Sequence, residues 1–304
     1  MAMYPCLFGG GGGPAPTLIT KSITENGTYN AQDDNADGYS QVSVNVAGGA
    51  GDLLQLLQNN SLGNEVTLTD AVLKTNATSI RGYTFYQAWV RRINLQNIQS
   101  IGEYAFYAGG TPGGEIVIPS CKSIGTYAFK DYSRSYDAIT NIDFSNLETV
   151  GSYAFNRAKL KCKLVLPKCK SIANNAFQET QCGAYGLEAP LLETIGNYAF
   201  NSTYFNTDIE LPSIKTIGNN AFHHTSSVNF TIGPNCTSIG NTIFAAYGVT
   251  NLYVLATTPP ALSSNFKSGN TGAQHIYVPA ESVSAYQTAN VWSNYASIIE
   301  AIPT

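Results

Sequence analysis

SIGTYAF at residues 123–129 is one of eight versions of a single seven-residue phrase. The others are SIRGYTF (79–85), SIGEYAF (100–106), TVGSYAF (149–155), SIANNAF (171–177), TIGNYAF (194–200), TIGNNAF (216–222) and SIGNTIF (238–244). The closing Phe returns after 21, 23, 26, 22, 23, 22 and 22 residues. Such a period marks a chain built from stacked copies of one small unit, because a unit this short cannot bury its apolar face alone.

A second phrase runs ahead of the first. Examples are INLQNIQSI (93–101), IVIPSCKSI (116–124), LVLPKCKSI (164–172) and IELPSIKTI (209–217). The apolar-x-apolar start has the period of a short strand. Pro119, Pro167, Pro190 and Pro212 follow it. Proline has no N–H to give to a ladder and so ends a strand. The expectation is one strand per unit, stacked into a parallel sheet with rungs about 4.8 Å apart. Nine or so rungs would make a sheet about 40–45 Å long. The Ala-Phe pair of each unit would plug the core from the opposite side.

Aligned units give a core column of Ile98, Cys121, Leu147, Cys169, Leu192, Ile214 and Cys236. Cysteine shares this column with Ile and Leu, so it reads as a small hydrophobe. Successive cysteines in the column lie two or more rungs apart, too far for a disulfide. Cys162 and Cys182 lie outside the column and could pair.

Composition narrows the function classes. The 304 residues carry 16 Lys and Arg against 20 Asp and Glu, a charged share of 12%, about half the usual 25%. A net charge of −4 excludes the basic stripe that nucleic acid requires. No apolar run reaches the roughly 18 residues of a membrane helix. Met1 to Phe8 lack the basic and apolar regions of a secretory signal.

The ends differ from the middle. Residues 1–16 are a short attachment peptide and a Gly-rich linker, with five glycines at 9–13. Residues 17–50 read as a small β unit with strands LITKSI, GTYN and QVSVNV. Residues 51–60, with DLLQLLQ at 52–58, read as a helical cap or an oligomerisation segment. The solenoid is expected over 61–255 and a C-terminal cap over 256–304. In that cap a helix would begin at Glu281, with Val283, Tyr286 and Trp292 on its apolar side.

The eight phrases, the LxLPxCKSI-type strands and the TTPPAL…IYVPAESVSAYQ ending resemble the BspA-like, or treponemal-type, leucine-rich repeats of bacterial surface proteins. The resemblance covers about residues 60–302 and implies a mainly β, right-handed solenoid, poor in helix. It also implies adhesion to host proteins, cells or surfaces, without enzymatic activity. Residues 1–47 resemble the openings of virion or tail-fibre-associated proteins from phages of gut Firmicutes. That second resemblance implies a virion location and contacts with other virion proteins through residues 1–50. A fibre role would go with a trimer formed through residues 1–60. The alternative is an extracellular or cell-surface adhesin.

Candidate chemistry is sparse. His223 and His224 point to different faces of an extended segment and chelate poorly. His275 stands alone. Asp208 and Glu210 alternate along one strand and read as a solvated face. No cofactor motif occurs. Asp33, Asn35 and Asp37 begin a D-x-[DN]-x-[DN]-G pattern closed by Gly38, the start of a calcium loop. Val44 stands where such a loop needs a bidentate Glu, so a polar turn is the competing reading.

Two surfaces are candidates for binding. One is the exposed strand column with Arg92, Asn94, Asn141, Asp143, Lys163, Asp208, Glu210, Asn229 and Tyr253. The other is the variable segment after each Phe, where insertions map to one face. Tyr107, Tyr132, Tyr136, Tyr185, Tyr204 and Phe205 lie in these segments. Tyrosine offers a rigid amphipathic contact at low entropy cost. The expected partner is a bacterial cell-surface glycan or protein.

Overall fold

The computed structural model describes residues 18–23, 41–46, 79–80, 82, 93–94, 98–110, 115–132, 138–224, 227, 229–244, 249–265 and 273–303. The helical cap expected at 52–58, the GTYN strand and the candidate calcium loop at Asp33, Asn35 and Asp37 lie outside them. The strands Leu18–Ile23 and Gln41–Val46 pair in parallel.

From Ser79 onward the chain is a parallel β-solenoid with little helix. Each coil carries two strands rather than the one expected. The Ser/Thr-Ile or Thr-Val dipeptide of the phrase forms the second. Ser79–Ile80, Ser100–Ile101, Ser123–Ile124, Thr149–Val150, Ser171–Ile172, Thr194–Ile195, Thr216–Ile217, Ser238–Ile239 and Ala261–Leu262 stack into a nine-stranded sheet. A two-residue strand is too short to show a period, which is why the pattern did not give it away. The Ile or Val side chain points inward and is buried, and the Ser or Thr points out.

The strands of the second phrase form sheets of three, two and five members. The five are Ile209–Leu211, Asn229–Ile232, Asn251–Val254, His275–Val278 and Ile299–Ala301. Their alternating burial leaves one side-chain face outside.

The rest of the phrase turns, and it too hydrogen-bonds from rung to rung. Tyr127 N–H reaches Ser152 C=O at 2.9 Å, Phe129 reaches Ala154 at 2.7 Å, and Asp131 reaches Asn156 at 2.8 Å. Backbone polar groups inside a solenoid need such partners. Two residues per coil take left-handed φ to provide them. One column is Tyr104, Tyr127, Tyr153, Asn175, Tyr198, Asn220 and Thr242. The other, four residues on, is Ala108, Asp131, Arg157, Glu179, Ser202 and His224.

The core is a ladder. Phe106, Phe129, Phe155, Phe177, Phe200 and Phe222 stack at centroid spacings of 4.8, 5.1, 5.2, 5.4 and 5.2 Å. The column from Ile98 to Cys236 is buried along its whole length. The phrase's Gly permits close coil stacking. A Cβ on Gly218 would stand 2.5 Å from the backbone N of Asn197 and C of Gly196.

The C-terminal segment closes the core differently from expectation. The α-helix spans only Val283–Thr288, a 3-10 stretch covers Trp292–Ile298, and a final strand follows at Ile299–Ala301. Tyr286 and Trp292 are buried on the last coils. Tyr286 OH donates to Ala256 C=O at 2.7 Å, and Trp292 Nε1 donates to Pro260 C=O at 2.8 Å. Among the described residues no helix is long and apolar enough to cross a membrane.

Candidate recognition surface

The turns after the Phe ladder form a ridge. Its first column is aromatic. Tyr104, Tyr127 and Tyr153 stack at 4.7 and 4.9 Å, each half-buried. Left-handed φ turns these side chains outward, while the Phe two residues on turns in. Tyr107 tilts against Tyr104 at 5.5 Å. Lys130 Nζ lies 5.4 Å from the Tyr107 ring centroid and 6.0 Å from that of Tyr127, within cation–π range. Further along, the column becomes Asn175, exposed Tyr198 and Asn220.

The second column is ionic. Arg157 Nε stands 3.2 Å from Asp131 and 3.9 Å from Glu179, and Lys130 lies 3.3 Å from Asp131. The column ends at Ser202 and His224, whose Oγ and Nδ1 are 2.9 Å apart. The Ser202 hydroxyl also lies 2.8 Å from Asn201 Oδ1. Asn201 Oδ1 and His224 Nδ1 thus compete for the one Ser202 hydroxyl proton. His223 packs edge-on against His224 at 4.2 Å. Partial burial, aided by the neighbouring His224, pushes the His223 pKa down.

The proposed contact residues divide. Tyr185 and Tyr204 are 49% and 55% exposed, and Tyr204 stacks on His224 at 5.6 Å. Tyr107 is half-buried within the tyrosine cluster. Tyr132 and Phe205 are not surface residues. Both are fully buried, Tyr132 edge-on to Phe129 at 5.4 Å and Phe205 against Phe200 at 5.4 Å. Each turns its ring into the core beside the Phe ladder, Tyr132 also edge-on to Phe106 and Phe205 also against Phe222. Tyr136 lies outside the described residues. The phrase tyrosines, which repetition made look like scaffold, also reach the surface, Tyr198 exposed and Tyr104, Tyr127 and Tyr153 half-buried. Their offset of two from an inward Phe was the available signal.

The strand face also resolves by residue. Arg92 lies outside the described residues, and Asn94 is described only as a strand position. Asn141 is exposed. Asp143 accepts the backbone N–H of Ser145 at 2.8 Å. Lys163 pairs with Glu188 at 2.9 Å. Asp208 accepts from Asn229 twice, at 3.0 and 2.8 Å, and Asn251 donates to Asn229 at 2.9 Å. Tyr253 stacks on Tyr277 at 5.0 Å. Cys162 and Cys182 are free thiols, as are Cys121, Cys169 and Cys236.

The model of the BspA-type leucine-rich repeat region matches in six copies over residues 55–183 and 185–290. The chain belongs to the BspA-type leucine-rich repeat family. Among solved structures it is similar to a leucine-rich repeat protein from Bacteroides ovatus, with 18% identity and a TM-score of 0.41. That match covers 66% of this chain and 59% of the other. No curated protein matches. Membership of this family suggests a surface adhesion or recognition protein, on a solenoid that typically serves as a binding scaffold.

Proposed function

We infer that this chain is a non-enzymatic recognition protein whose solenoid binds a bacterial cell surface. The observation that carries the reading is the outward column of Tyr104, Tyr127 and Tyr153, with Tyr107 and Lys130 beside it. Clustered tyrosines are the composition of an interface hot spot. The finer placement is a phage or prophage virion component of the tail-fibre or receptor-binding kind, attached through residues 1–50. It rests on the resemblance of residues 1–47 to virion proteins. The second reading, a cell-surface adhesin, is favoured by the BspA-type family match.

The test is sedimentation of the full chain with whole bacterial cells. Binding is expected, and Tyr127→Ala with Tyr153→Ala should weaken it about tenfold, as loss of hot-spot residues does. Unchanged binding by that double variant would move recognition off the ridge. Antibody labelling of purified phage particles separates the two locations: label on the particle supports the virion, and label confined to bacterial envelopes supports the adhesin.

A further inference from the structure

The five-stranded C-terminal sheet carries a line of polar groups that the fold does not use. Register places Glu210 beside Thr231, Thr231 beside Tyr253, and Tyr253 beside Tyr277. All four side chains point away from the core. Among the described residues, the carboxylate of Glu210 and the hydroxyls of Thr231, Tyr253 and Tyr277 make no hydrogen bond or ion pair. The parallel column differs. There Asp208, Asn229 and Asn251 are bonded to one another, and they form a rigid amide border. Elsewhere on the solenoid the carboxylates Glu188 and Glu193 are paired with lysines.

Charge defines what this line can hold. From Thr216 to the end, the sequence has one Lys or Arg, Lys267, and two acids, Glu281 and Glu300. The face itself carries no Lys or Arg, so an anionic ligand would meet the acids Asp208, Glu210 and Glu300, and the one imidazole there, His275, already faces Glu300 at 3.5 Å. Its free groups are one carboxylate acceptor and three hydroxyls that both donate and accept. Vicinal hydroxyl groups of a sugar need that mixture. Tyr253 and Tyr277 cover one another's faces, so they offer ring edges and hydroxyls in place of a stacking platform. The four positions span three rungs, about 14 Å, the length of a short oligosaccharide.

We propose that Glu210, Thr231, Tyr253 and Tyr277 form a binding site for a neutral glycan, read by hydrogen bonds along the solenoid. This rests on the reading of the solenoid as a binder but uses a different face from the tyrosine ridge. The full chain is applied to an array of neutral, sialylated, uronic-acid-containing and sulfated oligosaccharides, with a lysine-rich peptide as a further arm. Neutral glycans should bind and the acidic ones should not. Tyr253→Phe with Tyr277→Phe keeps the ring stack and removes both hydroxyls, and Glu210→Gln removes the charge. Each variant should weaken neutral-glycan binding about tenfold, as expected for lost hydrogen bonds of this kind, with an unchanged melting temperature.

Preference for acidic glycans or for the peptide, no glycan binding, or binding indifferent to both variants would overturn the proposal. If whole cells bind the chain while neutral glycans do not, this site falls and the recognition reading stands. If neither binds, both fall.

Discussion

At the residue scale the left-handed column is the telling feature. Tyr104, Tyr127, Tyr153 and Tyr198 hold φ between 54° and 58°, a conformation that costs a non-glycine residue about 1–3 kcal/mol. Asn175 and Asn220 occupy the same position, and Asn tolerates that region better than Tyr. Tyr104, Tyr127 and Tyr153 regain something by stacking. Tyr198 is exposed and, among the described residues, stacks on no other ring. Tyr198→Asn is therefore expected to stabilise the chain by about 0.5 kcal/mol, read as a higher midpoint in chemical denaturation. Gly218→Val should act oppositely. Its Cβ would meet the backbone of the coil below, and such overpacking costs about 1–3 kcal/mol. The Asn, Gly and Phe positions were legible because they repeat. The outward turn of the phrase tyrosines shows only in their offset of two from the inward Phe, since a left-handed turn leaves no periodic trace of its own.

At the element scale, the ladders explain why short strands suffice. Each strand of the nine-stranded sheet is two residues long, yet every one has neighbours above and below except those at the ends. Asparagines extend the same logic. Asn174 Oδ1 accepts Asn197 N–H at 2.8 Å, Asn197 accepts Asn219 at 2.7 Å, and Asn219 accepts Asn241 at 2.8 Å. Charge also alternates along one column, as Lys122, Glu148, Lys170, Glu193 and Lys215. Like charges one rung apart would repel. Lys215 instead hydrogen-bonds Glu193 at 2.6 Å and holds its carboxyl pKa down.

The Phe ladder is the main apolar element. Phe177 is fully buried between Phe155 and Phe200, so Phe177→Ala is expected to cost about 3–5 kcal/mol in urea unfolding.

The cysteine column gives a pH prediction. Burial pushes Cys121 up to about 12 and Cys169 and Cys236 up to about 11. The folded chain keeps these protons longer than the unfolded chain. Above the ordinary thiol value of 9.0 the unfolded chain alone loses them, so stability falls as pH rises from there toward 11. Denaturation midpoints measured across that range should decline, and replacing the three cysteines with Val should flatten the decline.

At the scale of the whole molecule, a solenoid must close its open end or expose its core. Residues 280–302 do this at the C-terminal end. Tyr286 and Trp292 meet edge-on at 4.9 Å and are tied to Ala256 and Pro260 by hydrogen bonds. Trp292→Ala should therefore destabilise by about 3–5 kcal/mol. It should also open the last coils first, visible as faster hydrogen exchange at 251–262 than at 164–200. The sequence by itself determined the repeat, the parallel stacking, the buried columns and the low charge. Each follows from side chains recurring once per coil, a pattern that position along the chain reports directly. Tertiary structure alone decided the second strand, the inward turn of Tyr132 and Phe205, and the two outward polar and aromatic lines. Those depend on backbone handedness and on which neighbouring coil satisfies each group. Such relations join residues about one full coil apart and have no local signature.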